Sequence, residues 1–203
     1  MFANCQKEKK KATTIENSNQ MTILDPTKLV KKTTPLESKE IALKTLNNEV
    51  LQSLKTKDHE KFSNYIHPEK GISFSMYAFV DSEKDKHFSC EEFLNYINKK
   101  TKFTWGEKDG TGDLLVLSIN DYLQDQVFAK DFTKAQYYLN EFKGGGNSLN
   151  NLKKIYPDKD FTENFLPGTA EFGEMDWNSL RFVFDEFEGK FYIIAVINDQ
   201  WTI

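Results

Sequence analysis

The sequence predicts an α+β domain in which helices from its front part pack on a curved antiparallel sheet. Three observations predict it. Within Trp177–Ile203, two apolar, β-branched and aromatic runs flank Glu188-Gly189-Lys190, the pattern of a β-hairpin at the centre of a sheet. Leu43, Leu46, Val50 and Leu54 recur at spacings of three and four, which places them on one helix face. Ile72 to Phe79 alternates, with Ile72, Phe74, Met76 and Ala78 on one side and Ser73, Ser75, Tyr77 and Phe79 on the other. A sheet that bends round a helical pair leaves a cone-shaped cavity.

The elements follow in order. Leu36 to about Lys57 is a helix capped by Thr34 or Ser38, and His59 to Ile66 is a second short helix with Phe62, Tyr65 and Ile66 inward. His67-Pro68 to Gly71 is a break, and Asp81 to His87 reads as a solvated loop. Ser89 with Glu92 three residues on is a capping box that opens the next helix. Phe103–Trp105 is a short strand or edge, Gly106–Gly112 a turn, and Leu114–Leu117 a strand or the start of the amphipathic stretch Ile119–Phe128. Ala135–Phe142 reads as a strand ending at Gly144-Gly145-Gly146. Leu149–Tyr156 fits a strand or a helical turn, and Pro157–Gly173 is irregular, pinned by Phe161, Phe165 and Phe172. In the hairpin, Leu180, Phe182 and Phe184 share a face, as do Arg181, Val183 and Asp185. On the second strand, Tyr192, Ile194, Val196 and Asn198 oppose Phe191, Ile193, Ala195 and Ile197. Apolar groups on both faces mean that both sides of the hairpin are covered.

A chain of 203 residues suits one domain plus a tail, here a polar tether over 1–35 and a folded body over 36–203. Residues 1–36 hold seven lysines against three acids, so of the net −4 the remainder carries −8. An acidic body whose one arginine, Arg181, lies in the hairpin argues against nucleic acid as a partner. No apolar run reaches the length of a membrane span. Cys5 and Cys90 are too few for a disulfide framework.

Ala3-Asn4-Cys5 followed by a charged linker matches the small residues, cysteine and tether of a secretory lipoprotein. The hydrophobic stretch that precedes such a cysteine is missing from the sequence as written. The expectation is therefore conditional. With a start site further upstream, Cys5 is lipidated and the body is anchored at the cell envelope, outside the cytoplasm. Otherwise the protein is cytoplasmic and Cys5 is an inert thiol.

Three segments carry a resemblance: Ile66–Tyr77 (IHPEKGISFSMY), Phe103–Gly112 (FTWGEKDGTG) and the ending Val196–Ile203 (VINDQWTI). Together they resemble a family of uncharacterised bacterial proteins, many of them secreted or lipidated, which is similar to the NTF2-like, cystatin-like superfamily. The resemblance covers about residues 36–203 and implies an NTF2-like cone, with no reaction attached. The family's ending carries histidine where this chain has Asn198, which weakens any role for that position as base or ligand.

Candidate site residues are judged on chemistry. His67, before Pro68 and a strand, either holds a turn through hydrogen bonds or stands at a cavity mouth, acting with Asp109, Asp199 or Tyr77. Trp105, Trp177 and Trp201 with Tyr77 either line an apolar pocket or belong to the core. The candidate pocket is thus His67, Tyr77, Trp105, Asp109, Asp199 and Trp201. His59, His67 and His87 have no metal spacing, and the chain has no HExxH, phosphate loop, nucleophile elbow or calcium loop. No catalytic residue, metal or cofactor is expected. The function expected is a non-catalytic small-ligand-binding or accessory domain. The alternatives are a cone-fold enzyme moving a proton with His67 and a carboxylate, and a homodimerising structural module. The partner is an unidentified small molecule or protein.

Overall fold

A threonine starts the first helix. In the computed structural model, which describes residues 34–202, the Thr34 side chain accepts from the Glu37 backbone at 3.2 Å while the Glu37 carboxylate accepts from the Thr34 amide at 2.8 Å. That capping box, with Pro35 in the first turn, opens α1 (Pro35–Thr56). The tether expected over 1–35 and Cys5, the conditional lipidation site, lie outside the described residues, save Thr34 and Pro35. Helix α1 buries Leu43, Leu46, Val50, Leu51 and Leu54, whereas Leu36 is exposed. It ends where Lys57 turns left-handed at φ 57°. The Asp58 carboxylate then caps α2 (His59–Ser63) by accepting from the Lys61 amide at 2.9 Å.

The other elements are β1 (Ile72–Ser75), β2 (Lys86–Phe88), α3 (Cys90–Ile97), β3 (Lys102–Glu107), β4 (Leu114–Ser118), α4 (Ile119–Tyr122), β5 (Gln136–Leu139), α5 (Leu152–Ile155), β6 (Asp160–Leu166), β7 (Asn178–Phe187) and β8 (Lys190–Gln200). Helix α3 opens with the Ser89–Glu92 capping box. Helix α4 runs into a π-helical turn at Leu123–Val127. Six strands form one sheet in the order β2-β1-β8-β7-β6-β5, and β3 pairs with β4 apart from it. The β7–β8 hairpin is central, as expected, with Phe187 opposite Lys190 and Asn178 opposite Gln200.

The protein is α+β, with α1, α2 and α3 against one face of the sheet. Leu180, Phe182, Phe184, Ile193 and Val196 join Phe74 and the apolar sides of α1, α2 and α3 in the larger core. The other face carries Phe161, Val183, Ala195 and Ile197, covered by Val80, Phe142, Leu152, Ile155 and Tyr156.

Several expectations are corrected. The sheet is not purely antiparallel, because β1 runs parallel to β8. Strict alternation along β8 fails at a bulge: Val183 faces Ala195 but Phe184 faces Ile193, leaving Ile194 as the extra residue. Ile193 and Val196 therefore share a face, and the bulge bends the strand. Strand β1 stops at Ser75 rather than Phe79. The chain turns so that Val80 is held by Asn151, whose side chain accepts from the Val80 amide at 2.7 Å and donates to its carbonyl at 2.9 Å. Lys86–Phe88 is an edge strand, not loop, and Asp160–Leu166 is a full strand rather than irregular chain. Ala135–Phe142 shortens to β5, and Phe172 is exposed instead of pinned.

Candidate functional site

The tip of the central hairpin meets the middle of α1 in an open groove of about 540 Å³. Ala42, Thr45, Leu46 and Glu49 form the helix wall, Asn64 and Tyr65 the floor, and Gly189 to Tyr192 the opposite wall. The geometry follows from the chain. Helix α1 places residues three and four apart on one side, so Ala42, Thr45, Leu46 and Glu49 point the same way. Gly189, at φ 75°, allows the two-residue turn that projects Phe191 and Tyr192. After α2 the chain is tied to β8: the Ile193 amide donates to the Tyr65 carbonyl at 2.8 Å and the His67 amide to the Ile193 carbonyl at 3.1 Å. Among the described strands, none pairs with β8 on that side before Ile193. Burial and the neighbouring Glu49 carboxylate raise the pKa of the Tyr65 hydroxyl, keeping it a neutral donor. The groove thus offers aromatic surface, one carboxylate, one ammonium and one amide.

The residues singled out by sequence are spread over the molecule. His67 is buried, and its Nδ1 accepts from the Glu69 amide at 3.2 Å and the Lys70 amide at 3.0 Å. Its ring lies against Phe187 and Tyr192. Burial lowers its pKa, with Asp185 pulling the other way, so the imidazole is a neutral clamp on its turn. Tyr77 and Asp109 do meet, the Asp109 amide donating to the Tyr77 hydroxyl at 3.0 Å. Trp105 is stacked on Tyr122 at 3.6 Å and donates to the Leu117 carbonyl at 3.0 Å. Its edge borders a second groove of about 530 Å³ between Glu83–Lys86 and the β3–β4 hairpin. Trp201 is 37% exposed at the far end of β8. Trp177 is buried beside Gly144 and Gly146. Asn198 donates to the Gln126 carbonyl at 2.8 Å.

Asp199 belongs to a buried charge cluster that sequence reasoning did not assemble. Arg181 donates from Nη2 to Asp199 at 2.8 Å, to Glu163 at 3.1 Å and to the Gly144 carbonyl at 3.2 Å. Glu163 also accepts from Ser179 and from the Lys143 and Gly144 amides. Burial raises the pKa of Asp199 although Arg181 opposes it.

A third site was also unforeseen. Ser73, Val80, Ser82, Asp85, His87 and Tyr156 line a cleft of about 140 Å³ on the side of the sheet away from α1. The Ser73 hydroxyl lies 3.0 Å from His87 Nδ1. Burial pushes the Asp85 carboxyl up to about 6, against hydrogen bonds from Ser75 and the Asp81 amide that favour its ionised form. The one sequence sign was the pair Ser73 and Ser75 on the polar side of a strand.

Among the described residues no group of three or more His, Cys, Asp or Glu is placed to hold a metal ion, and no helix is long and apolar enough to cross a membrane. The fold and the groove define a mixed α+β domain that presents an aromatic-walled surface groove. No protein-family model matches the chain, and no curated protein sequence matches it significantly.

Proposed function

We propose that this domain is a binding module that holds a small ligand with a flat apolar part and a hydrogen-bonding end. The ligand lies in the groove between α1 and the hairpin tip, its apolar part against Phe191 and Tyr65 and its polar end towards Glu49, Asn64 or Lys190. The observation that carries this reading is the groove itself: about 540 Å³ between a 22-residue helix and the tip of the central hairpin. Its size falls in the range of small-molecule sites, ~300–1,000 Å³. Binding rather than turnover fits the position of His67, whose Nδ1 is occupied by two backbone amides. We further propose that the module works at the cell envelope, tethered by a lipid on Cys5.

A thermal-shift screen of aromatic fragments tests the first part. Fragments that stabilise the wild type lose their effect in Phe191→Ala, with affinity falling by about tenfold or more from the lost ring contact. No stabilising fragment, or hits indifferent to both Phe191→Ala and Tyr65→Ala, would overturn it. The intact mass of the protein from its native cell tests the second: diacylated Cys5 is the expected result, and an unmodified Cys5 contradicts it.

A further inference from the structure

Asp85 is a carboxylate partly withdrawn from water, with Lys86 pulling on it from a distance. Its Oδ2 accepts from the Ser75 hydroxyl and from the Asp81 amide at 3.0 Å. Among the described residues no lysine, arginine or histidine reaches it within ion-pair distance, whereas Asp185 on β7 has two lysines. Every other lining residue of the cleft except Val80 brings a hydroxyl or an imidazole. The Ser73 hydroxyl is shared between His87 and Tyr156. The hollow has room for about four or five water-sized groups at ~30 Å³ each.

We propose that this cleft binds a small primary amine as its ammonium ion, with Asp85 as the counter-ion. An ammonium carries three donors and no acceptor. One donor matches Asp85 Oδ1, which takes no hydrogen bond from the described residues, and the others match the hydroxyl oxygens of Ser82 and Tyr156. A two- or three-carbon chain then rests on Val80. An anion would face Asp85 and Asp81 together. A cation stabilises the ionised form that burial disfavours, and its attraction is screened less here than at an exposed carboxylate.

Amine binding expels the Asp85 proton. The groups that face this carboxylate are Asp81 and Lys86 on its own segment, Ser75 on β1, Tyr122 on α4 and Tyr156 next to α5, with His87 across the cleft. With the Asp85 carboxyl titrating at about 6, only about a tenth is ionised near pH 5.

The test is calorimetric titration of the full chain with propylammonium chloride. Affinity is expected to fall about tenfold from near pH 7 to near pH 5. Near pH 6, paired buffers of different ionisation heat should report release of about half a proton per amine bound. His87→Gln retains this pH step, Asp85→Asn abolishes binding, and Tyr156→Phe weakens it several-fold without moving the step. The wild-type proton count stands even where a variant fails to fold. Nα-acetyl-lysine methylamide separates the two sources of an ammonium: equal affinity assigns the tip of a longer molecule, and binding of propylammonium alone assigns a free amine. No saturable propylammonium binding near neutral pH, tighter binding of acetate, or a pH step lost in His87→Gln would overturn the proposal. Phe191→Ala leaves this binding unchanged, so its outcome is separate from that of the α1 groove.

Discussion

Arg181 on β7 donates to Asp199 on β8 at 2.8 Å, and neither side chain reaches solvent to any useful extent. The same guanidinium nitrogen serves Glu163 on β6, so one cation holds two buried carboxylates across three strands, with its planar group 5.1 Å from the Phe142 ring centre. Arg181 Nε and Nη1 and Asp199 Oδ1 find no protein partner among the described residues. Removing the cation leaves two carboxylates in low dielectric. Arg181→Met is therefore expected to cost about 3–5 kcal/mol in urea unfolding. The triple change with Glu163→Gln and Asp199→Asn should cost less than the single one. A single variant within about 1 kcal/mol of wild type would show that the cluster is not buried as described.

The glycine run covers this cluster. A Cβ on Gly144 would lie 2.7 Å from Trp177 Cζ3 and 3.0 Å from Glu163 Oε1, whereas one on Gly145 meets nothing within 4 Å. Gly144→Ala should lower stability by about 1–3 kcal/mol, from overpacking. Gly145→Ala should be close to neutral. Paired thermal melts check the contrast.

Helix α1 is keyed to β6 by polar groups. Asn47 and Asn164 exchange side-chain amide hydrogen bonds at 2.9 Å each way, and Thr162 donates to Asn47 at 2.7 Å. Asn47→Ala strands Thr162 and Asn164 without that partner inside the core. The expected loss is about 2–3 kcal/mol, read by denaturant midpoint at constant slope.

Asp85 sets a pH dependence of stability. Its folded pKa is raised by burial to about 6 from an ordinary 3.8, so the folded state binds a proton between those values that the unfolded chain releases. Stability then falls as pH rises from about 4 to about 6, by ~1–2 kcal/mol after allowance for solvent contact. Asp185 acts in the opposite sense. Burial alone would raise its pKa, but Lys159 and Lys70 outweigh it and hold the carboxyl at about 2. Its contribution is present above about pH 4 and is lost as pH falls towards 2. Asp85→Asn should remove the first trend and leave the second, seen in melting temperature against pH.

What could be read from the sequence follows from which residues obey the usual burial rule. The hairpin, α1 and the Ser89 capping box were legible because apolar period and cap chemistry agree there. Strand β6 was not, since Thr162, Glu163 and Asn164 are buried polar residues, each satisfied by a partner distant in sequence. A polar stretch between Pro157 and Pro167 reads as loop until Arg181 and Asn47 are known to face it. The bulge at Ile194 was equally invisible, because every residue of that run is apolar or small. The groove joins Ala42–Tyr65 to Gly189–Tyr192, segments remote in the chain and without a motif. Asp85 sat in a charged run whose solvation looked complete.

Phe191 ties the fold to the function proposed here, and one measurement tests that link most directly. In an amide-resolved NMR titration with the strongest stabilising fragment, saturable shifts should cluster at Ala42, Thr45, Glu49, Tyr65 and Lys190–Tyr192 and vanish in Phe191→Ala. Shifts centred elsewhere, or a groove silent to every fragment that stabilises the protein, would contradict a binding role for this face.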